Sequence, residues 1–365
     1  MSYSMNAKVD AQNLNAVSRL FELDGEPPHE KVLFVSDPKT SLRAIIAVHN
    51  TTRGPGFGGC RMWQYASDEE ALRDALRLSH GMSLKNAMAD LPYGGGKSVI
   101  IRGDRQLNRK ELFEAFGRAV HSLDGQYIAG EDVGTTVDDL LAVRSVTPYA
   151  SGIPRDGGFG GNPSPKTALG VYVAIERAAN VLLGAASLDG VTVAVQGLGS
   201  VGWNLAERLH AAGCKLIVAD IDASRVAAAQ TRFGAQIVDV NEIVTQQADV
   251  FAPCALGAVL NVSTIAEMRC KIVAGAANNQ LAMSEDAQRL HQRSIAYLPD
   301  YVVNAGGIIS CVREYEGNGD DAAVDAEVIR IADRIADLME EAGAEGKSVA
   351  DVAYQHARRK IGAPV

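Results

Sequence analysis

The run Val193-Ala194-Val195-Gln196 ends in Gly197-Leu198-Gly199-Ser200-Val201-Gly202, and 18 residues past Gly202 stands Asp220. Between them lie an amphipathic segment, Trp203 to Ala212, and a second apolar run, Leu216 to Ala219. The order strand, tight turn, helix, strand, carboxylate leaves few folds open. Gly197 permits the turn, Gly199 lets the backbone approach a pyrophosphate, and Gly202 lets helix and strand pack closely. A helix opening at Ser200 and Val201 offers unpaired N–H groups and a positive dipole end to phosphates. Asp220 is placed to accept hydrogen bonds from a ribose 2′-OH and would repel a 2′-phosphate. The unit therefore reads as an NAD site, with Arg225 the one nearby group that argues for NADP. A glycine triplet alone would be weak evidence; the flanking strands and the acid carry the reading.

The rest of the chain sets bounds. Its 365 residues suffice for two domains with separate cores. A net charge of −9 and the lack of a basic stripe argue against a nucleic-acid surface. Five scattered cysteines without a Cys-x-x-Cys pair indicate neither a disulfide frame nor a zinc site, and no metal is expected. No signal-type segment opens the chain and no apolar run is long enough to span a bilayer, so a cytoplasmic protein without a membrane partner is expected.

Along the chain, the first 30 or so residues read as an arm or short helix. Strand patterns follow at Val32–Val35 and Leu42–His49, joined by the turn Asp37-Pro38-Lys39-Thr40. Ser67 and Glu70 form a capping-box signal for a helix whose apolar face runs from Ala71 to Met82. A second helix is expected from Arg109 to Leu123. The glycine- and proline-rich stretch from Gly152 to Pro165 reads as an interdomain hinge, followed by a helix from Lys166 to Leu183. A charged helix from Ala322 to Glu341 and a closing helix from Val349 to Lys360 complete the pattern. The expected fold class is α/β: a first domain over 1–152, a dinucleotide domain over 153–334, and C-terminal helices, about 335–365, packing back across the first.

Outside the dinucleotide unit, Gly94-Gly95-Gly96-Lys97-Ser98 resembles the end of a phosphate-binding loop. The first glycine of that motif would fall at Leu91, so the match fails. What remains is Lys97 on a glycine-lined loop in an apolar stretch. Partial burial there would lower its pKa, as a lysine base near neutral pH requires; a solvated lysine at a turn fits the spacing equally well. Asp132, beside Gly134-Thr135, reads from local spacing as a turn or cap residue.

Together the clusters Arg61-Met62-Trp63, Gly81-Met82-Ser83-Leu84-Lys85-Asn86-Ala87, Gly94-Gly95-Gly96-Lys97, Glu131-Asp132-Val133-Gly134-Thr135-Thr136, Gly161-Asn162-Pro163-Ser164-Pro165, Ala252-Pro253-Cys254-Ala255-Leu256-Gly257, Ala276-Ala277-Asn278-Asn279-Gln280 and Asn304-Ala305-Gly306-Gly307 resemble the leucine, phenylalanine and valine dehydrogenases. These form the branch of the glutamate dehydrogenase superfamily that acts on apolar amino acids. The resemblance implies a substrate-binding α/β domain followed by a Rossmann-type NAD domain, with a cleft between them. It implies homo-oligomers, and small-molecule partners: an L-amino acid, the 2-oxo acid and ammonia. It makes Lys97 the base that activates water, Lys85 the partner of the substrate α-carboxylate, and Asp132 the proton carrier beside the reacting carbon. Two such lysines and the aspartate would titrate as a coupled set. The same resemblance brings Thr167 to the nicotinamide carboxamide and Ala255 near the cofactor ribose. It brings Asn278 and Asn279 to the nicotinamide ribose and the substrate amino group. Which asparagine does which stays open on spacing, with Asn278 given to the cofactor and Asn279 to the substrate. Cys254 is read as a small packing residue.

In the side-chain pocket the resemblance places Phe57, Gly130, Ile308 and Cys311. Glutamate-specific relatives carry a lysine where Phe57 stands, so glutamate would leave a desolvated, unpaired charge. Gly130 lengthens the pocket toward phenylalanine-type substrates and Phe57 fills it. The motifs around Arg61 and Asp132 favour leucine or branched-chain acids, with aromatic or broad specificity as the alternative. Two other readings compete. A non-catalytic NAD-sensing protein would be expected to lack Lys85, Lys97 or Asp132. A hydroxy-acid oxidoreductase would need a His–carboxylate or Tyr–Lys pair after the glycine turn, and the seven histidines share no motif.

Overall fold

In β2 (Leu42–Asn50), Leu42, Ala44, Ile46 and Val48 enter one hydrophobic cluster while Ile45 and Ala47 enter another. A strand buried on both faces by this alternation must lie inside a layered α/β domain. The computed structural model describes residues 28–103, 108–154, 160–255 and 257–363; most of the expected N-terminal arm and the middle of the expected hinge lie outside them.

The front half comprises β1 (Lys31–Asp37), β2, β3 (Gly56–Trp63), α1 (Asp68–Met88), β4 (Gly94–Ile101), α2 (Arg109–His121), β5 (Tyr127–Glu131) and α3 (Val137–Arg144). Its five strands lie in the order β1-β2-β4-β3-β5, antiparallel at β1–β2–β4 and parallel at β4–β3–β5. Phe113 and Phe116 of α2 cover one face, and Ala71, Ala75 and Leu76 of α1 cover the other. The start of α1 is the expected one: the Ser67 side chain accepts from Glu70 N–H. Glu70 returns its bond to Ala66 N–H, one residue before the cap.

The back half opens with α4 (Ser164–Leu183), then β6 (Thr192–Gln196), α5 (Ser200–Ala211), β7 (Lys215–Ala219), α6 (Ala223–Phe233), β8 (Gln236–Ile237), β9 (Val250–Pro253), α7 (Val262–Glu267), β10 (Ile272–Val273), α8 (Asp286–Gln292) and β11 (Ala296–Tyr297). The order β11-β10-β9-β6-β7-β8, parallel at every pairing, is that of a Rossmann-type sheet, with the strand order reversing at β6. Then come α9 (Asp300–Val303), α10 (Gly306–Glu316), α11 (Asp321–Ile329), α12 (Ile331–Glu345) and α13 (Val349–Lys360). The single charged helix expected over 322–341 is two, broken at Arg330, with no glycine or proline to announce it. α12 packs on α4, and α13 packs on α1. No helix among the described residues is long and apolar enough to cross a membrane.

Candidate active site

Gly94, Gly95 and Gly96 do not form the expected loop; they are the first half of β4, a fully paired interior strand. The glycines are there because neighbours leave no room for a side chain. A Cβ on Gly94 would lie 1.9 Å from Asn50 O, one on Gly95 2.1 Å from Ser83 Oγ of α1, and one on Gly96 2.6 Å from the Tyr127 ring. This close approach of α1 and β5 to β4 sets Lys97, opposite Ala47 in the sheet, into a buried position with 7% exposure. The lysine is therefore neither on a turn nor solvated.

Lys97 Nζ meets Asp132 Oδ2 at 2.8 Å. Asp132 follows β5, and its approach to β3 depends on Gly59, where a Cβ would lie 2.7 Å from Asp132 Cβ. Thr135 fixes the turn: its hydroxyl accepts from Asp132 N–H at 2.9 Å and donates to Cys60 O at 3.0 Å. Arg61 Nε donates to the same Asp132 Oδ2 at 3.2 Å. The neighbouring cations Lys97 and Arg61 hold the Asp132 carboxyl well below the usual carboxylate range against the opposing effect of its burial.

Lys85 lies in the last turn of α1. Its Nζ donates to Asn278 Oδ1 at 3.0 Å, and Asn304 Nδ2 donates to the same oxygen at 3.0 Å. This contact crosses from the front half to the back. Burial pushes Lys85 down to about 8, Asp300 opposes the shift, and Lys97 adds to it. Asp300 is itself pushed up by burial, and accepts from Asn279 N–H at 2.6 Å. It is thus the Asn278 side chain that meets Lys85, while Asn279 sits at φ +52° as the corner that presents it.

In the back half, Gly197 has φ +95°, and a Cβ on Gly202 would lie 1.9 Å from Gly197 O. A Cβ on Gly197 would lie 2.9 Å from Ala255 Cβ, which puts Ala255 across the turn. At Gly199 the nearest atom to a Cβ would be Arg225 Nη1 at 4.0 Å, so this glycine borders open space. α5 opens there with no side-chain cap on its first N–H groups, beside Ser200 and Val201. Asp220 directly follows β7, faces the turn and accepts from Leu198 N–H at 2.5 Å. These residues fit a dinucleotide: an uncapped helix start, a gap where a side chain would stand, and an acid beside it.

Three of the four expected pocket residues, Phe57, Ile308 and Cys311, share one hydrophobic cluster. Phe57 is 1% exposed, edge-on to Tyr93 at 5.1 Å and to Tyr315 of α10 at 5.8 Å between ring centroids. Ile308 and Cys311, both on α10, pack against the same cluster. A Cβ on Gly130 would stand 3.1 Å from Ser151 Oγ. Thr167 is in the first turn of α4, where a Cβ on Gly307 would lie 2.5 Å from its hydroxyl. Burial pushes the Cys254 thiol up to about 11, in keeping with a packing role. Among the described residues no cluster suits a metal ion. Sequence reasoning gave no role to Arg61, Asp74, Tyr65, Asp300 or Asn304. Arg61 and Asn304 stood within quoted motifs; the other three carried no local signal.

Strand order, turn and acid define the class, a dinucleotide-binding α/β protein of Rossmann type. Residues 29–148 match the family model described as "Glu/Leu/Phe/Val dehydrogenase, dimerisation domain", and residues 218–363 match "Glutamate/Leucine/Phenylalanine/Valine dehydrogenase". The chain belongs to that family of amino acid dehydrogenases. Residues 176–259 also match the NAD binding domain of D-isomer specific 2-hydroxyacid dehydrogenases, so likeness to hydroxy-acid enzymes is confined to the cofactor half. Leucine dehydrogenase of Geobacillus stearothermophilus is 49% identical over 81% of this chain and 81% of its own. Phenylalanine dehydrogenase of Bacillus thermotolerans is 43% identical over 94% of this chain and 90% of its own. The crystal structure of L-tryptophan dehydrogenase from Nostoc punctiforme superposes with a TM-score of 0.78 at 39% identity, covering 96% of this chain and 98% of that one.

Proposed function

We propose that this NAD-dependent enzyme oxidatively deaminates leucine and related branched-chain L-amino acids to the 2-oxo acid and ammonia, and runs the reverse reductive amination. The observation that carries the reading is the pairing across the cleft. Buried Lys97, half-buried Lys85 and Asp132 of the front half stand together, and Asn278 reaches Lys85 from the half that holds the glycine turn. Lys85 in its charged form takes the substrate α-carboxylate, with Asn278 beside it on the substrate side. NAD, held by the back half, would supply the hydride acceptor for the substrate Cα. Water then adds at that carbon and Lys97 Nζ takes its proton; Asp132 next takes the hydroxyl proton of the adduct and passes it to the departing nitrogen as the carbonyl forms. Thr167, Ala255 and the turn Gly197–Gly202 are assigned to the cofactor, with Asp220 on its ribose. We divide the chain near residue 152 into a substrate domain and a dinucleotide domain, of the C-terminal helices only α13 returning to pack on the first, and we read the dimerisation-domain match as a homo-oligomer.

Phe57, wedged between two tyrosines, supports an apolar side-chain pocket. NADH formation measured against a panel of L-amino acids tests this. Leucine, valine and isoleucine should lead, phenylalanine should follow, and glutamate should fall at least roughly a hundredfold behind because its carboxylate would be buried unpaired. Glutamate among the preferred substrates would overturn the reading. Lys97→Ala should lower turnover by roughly 10²–10⁴-fold with NAD binding retained; unchanged turnover would remove Lys97 from the chemistry.

A further inference from the structure

Asp132 is held by more charge than an ion pair needs. Lys97 Nζ and Arg61 Nε both reach Oδ2, at 2.8 and 3.2 Å, so two cations crowd one oxygen at mutual cost. Arg61 is in turn fixed from behind. Its Nη1 donates to Asp74 Oδ2 of α1 at 2.9 Å, and the Tyr65 hydroxyl donates to the same oxygen at 2.8 Å. Arg61, Asp74 and Asp132 are all sheltered, with side-chain exposures of 19, 13 and 17%.

We propose that Arg61, bracketed by Asp74 and Tyr65, is a positioning residue that keeps Asp132 ionised and aimed during turnover. The inference rests on the roles given above to Lys97 and Asp132. The charged groups that reach Asp132 are Lys97 of β4, Arg61 of β3, Lys85 of α1 and the adjacent Glu131. Cys60, Tyr65 and Tyr127 also lie within its field, and Asp139 of α3 is tied to Arg109. Of the cations only Arg61 cannot surrender a proton. When Lys97 is neutral in the cycle, Asp132 would otherwise be a nearly buried lone anion, which takes up a proton and keeps it. Arg61 makes that proton easy to release to the departing nitrogen.

The test compares Arg61→Gln, Arg61→Lys and Asp74→Asn by kcat and KM for leucine, NAD binding and thermal denaturation from pH 7 to pH 10.5. Arg61→Gln should lower kcat at least tenfold near neutrality and recover toward wild type at alkaline pH. KM and NAD affinity should stay within threefold. Arg61→Lys should restore most of the loss, and Asp74→Asn should show the same pH-dependent loss in smaller degree. In an Asp132→Asn background, Arg61→Gln should cost nothing further. A loss equal at every pH, a loss that follows KM, or no loss overturns the proposal. If Arg61→Gln does not fold, Asp74→Asn and Arg61→Lys decide it by the same criteria. Wild-type turnover in Asp132→Asn would instead overturn the role of Asp132 itself, whereas an inactive Asp132→Asn with an unaffected Arg61→Gln sinks only the bracket.

Discussion

Lys85 shows how burial sets a working range. Its environment lowers its proton affinity to about 8, and Asp300 keeps the shift from going further. The sign has two consequences. Between about pH 8 and the ordinary lysine value of about 10.5, the unfolded chain holds more protons here than the folded one. Lys85 therefore disfavours the fold below that window, and the penalty is relieved as pH rises through it. The ammonium that would meet a carboxylate is lost over the same range in the free enzyme. An amine-free analogue, 4-methylpentanoate, has no titrating nitrogen to confuse the result. Calorimetry should find it binding about tenfold or more weaker at pH 9.5 than at pH 7, with the slope abolished in Lys85→Met. Asp300→Asn should move the midpoint down, since the counter-charge is gone. Binding that is level across this range in the wild type would contradict Lys85 as the carboxylate partner.

At the scale of elements, glycine carries two different messages, and only one is visible along the sequence. In the turn after β6 the spacing is diagnostic because local backbone geometry causes it. Gly202→Ala puts a Cβ 1.9 Å from Gly197 O, where only backbone can yield, and should cost about 1–3 kcal/mol of stability in denaturant melts. Gly199→Ala meets nothing nearer than 4.0 Å, and should leave stability within about 0.5 kcal/mol while weakening NAD in a fluorescence titration. Undiminished NAD affinity in Gly199→Ala would remove its backbone from the pyrophosphate. In β3 and β4 the glycines answer instead to α1, β5 and Asp132 packing onto the strands, contacts between distant segments. Short-range patterning therefore read Gly94 to Ser98 as a loop and passed over β3, while the strands β1 and β2 and helices α1, α2, α4 and α13 were legible from their apolar spacing. The same limit applies in the site. Lys85, Lys97, Asp132 and Arg61 each lie within runs that resemble a family, whereas the contacts that tie Arg61 to Asp74 and Asp132 join residues 13 and 71 positions apart and leave no local trace.

Across the whole molecule, the cleft depends on the last helix. α1 carries Lys85 at its end, and α13 returns from the back half to pack on α1, burying Val352, Ala353 and Ala357, with Ile361 just beyond. Asp90, past the end of α1, pairs with Lys360 at 2.5 Å and with Arg334 at 3.1 Å. These two kinds of contact are unequal. Asp90 is 56% exposed, so its pairs are screened and Asp90→Ala should change stability by only about 0–1 kcal/mol. Removing α13 exposes the apolar face of α1 beneath it and deletes several fully buried side chains, a loss of about 4 kcal/mol or more. A chain ending at Gly346 should therefore show a much lower unfolding midpoint, and turnover should fall further than NAD binding because α1 holds Lys85 and the glycine turn lies elsewhere. If that truncation melted like the full chain and deaminated leucine at the same rate, α13 would be a passive appendage, and the position of Lys85 would have to be secured by α1 and β4 alone.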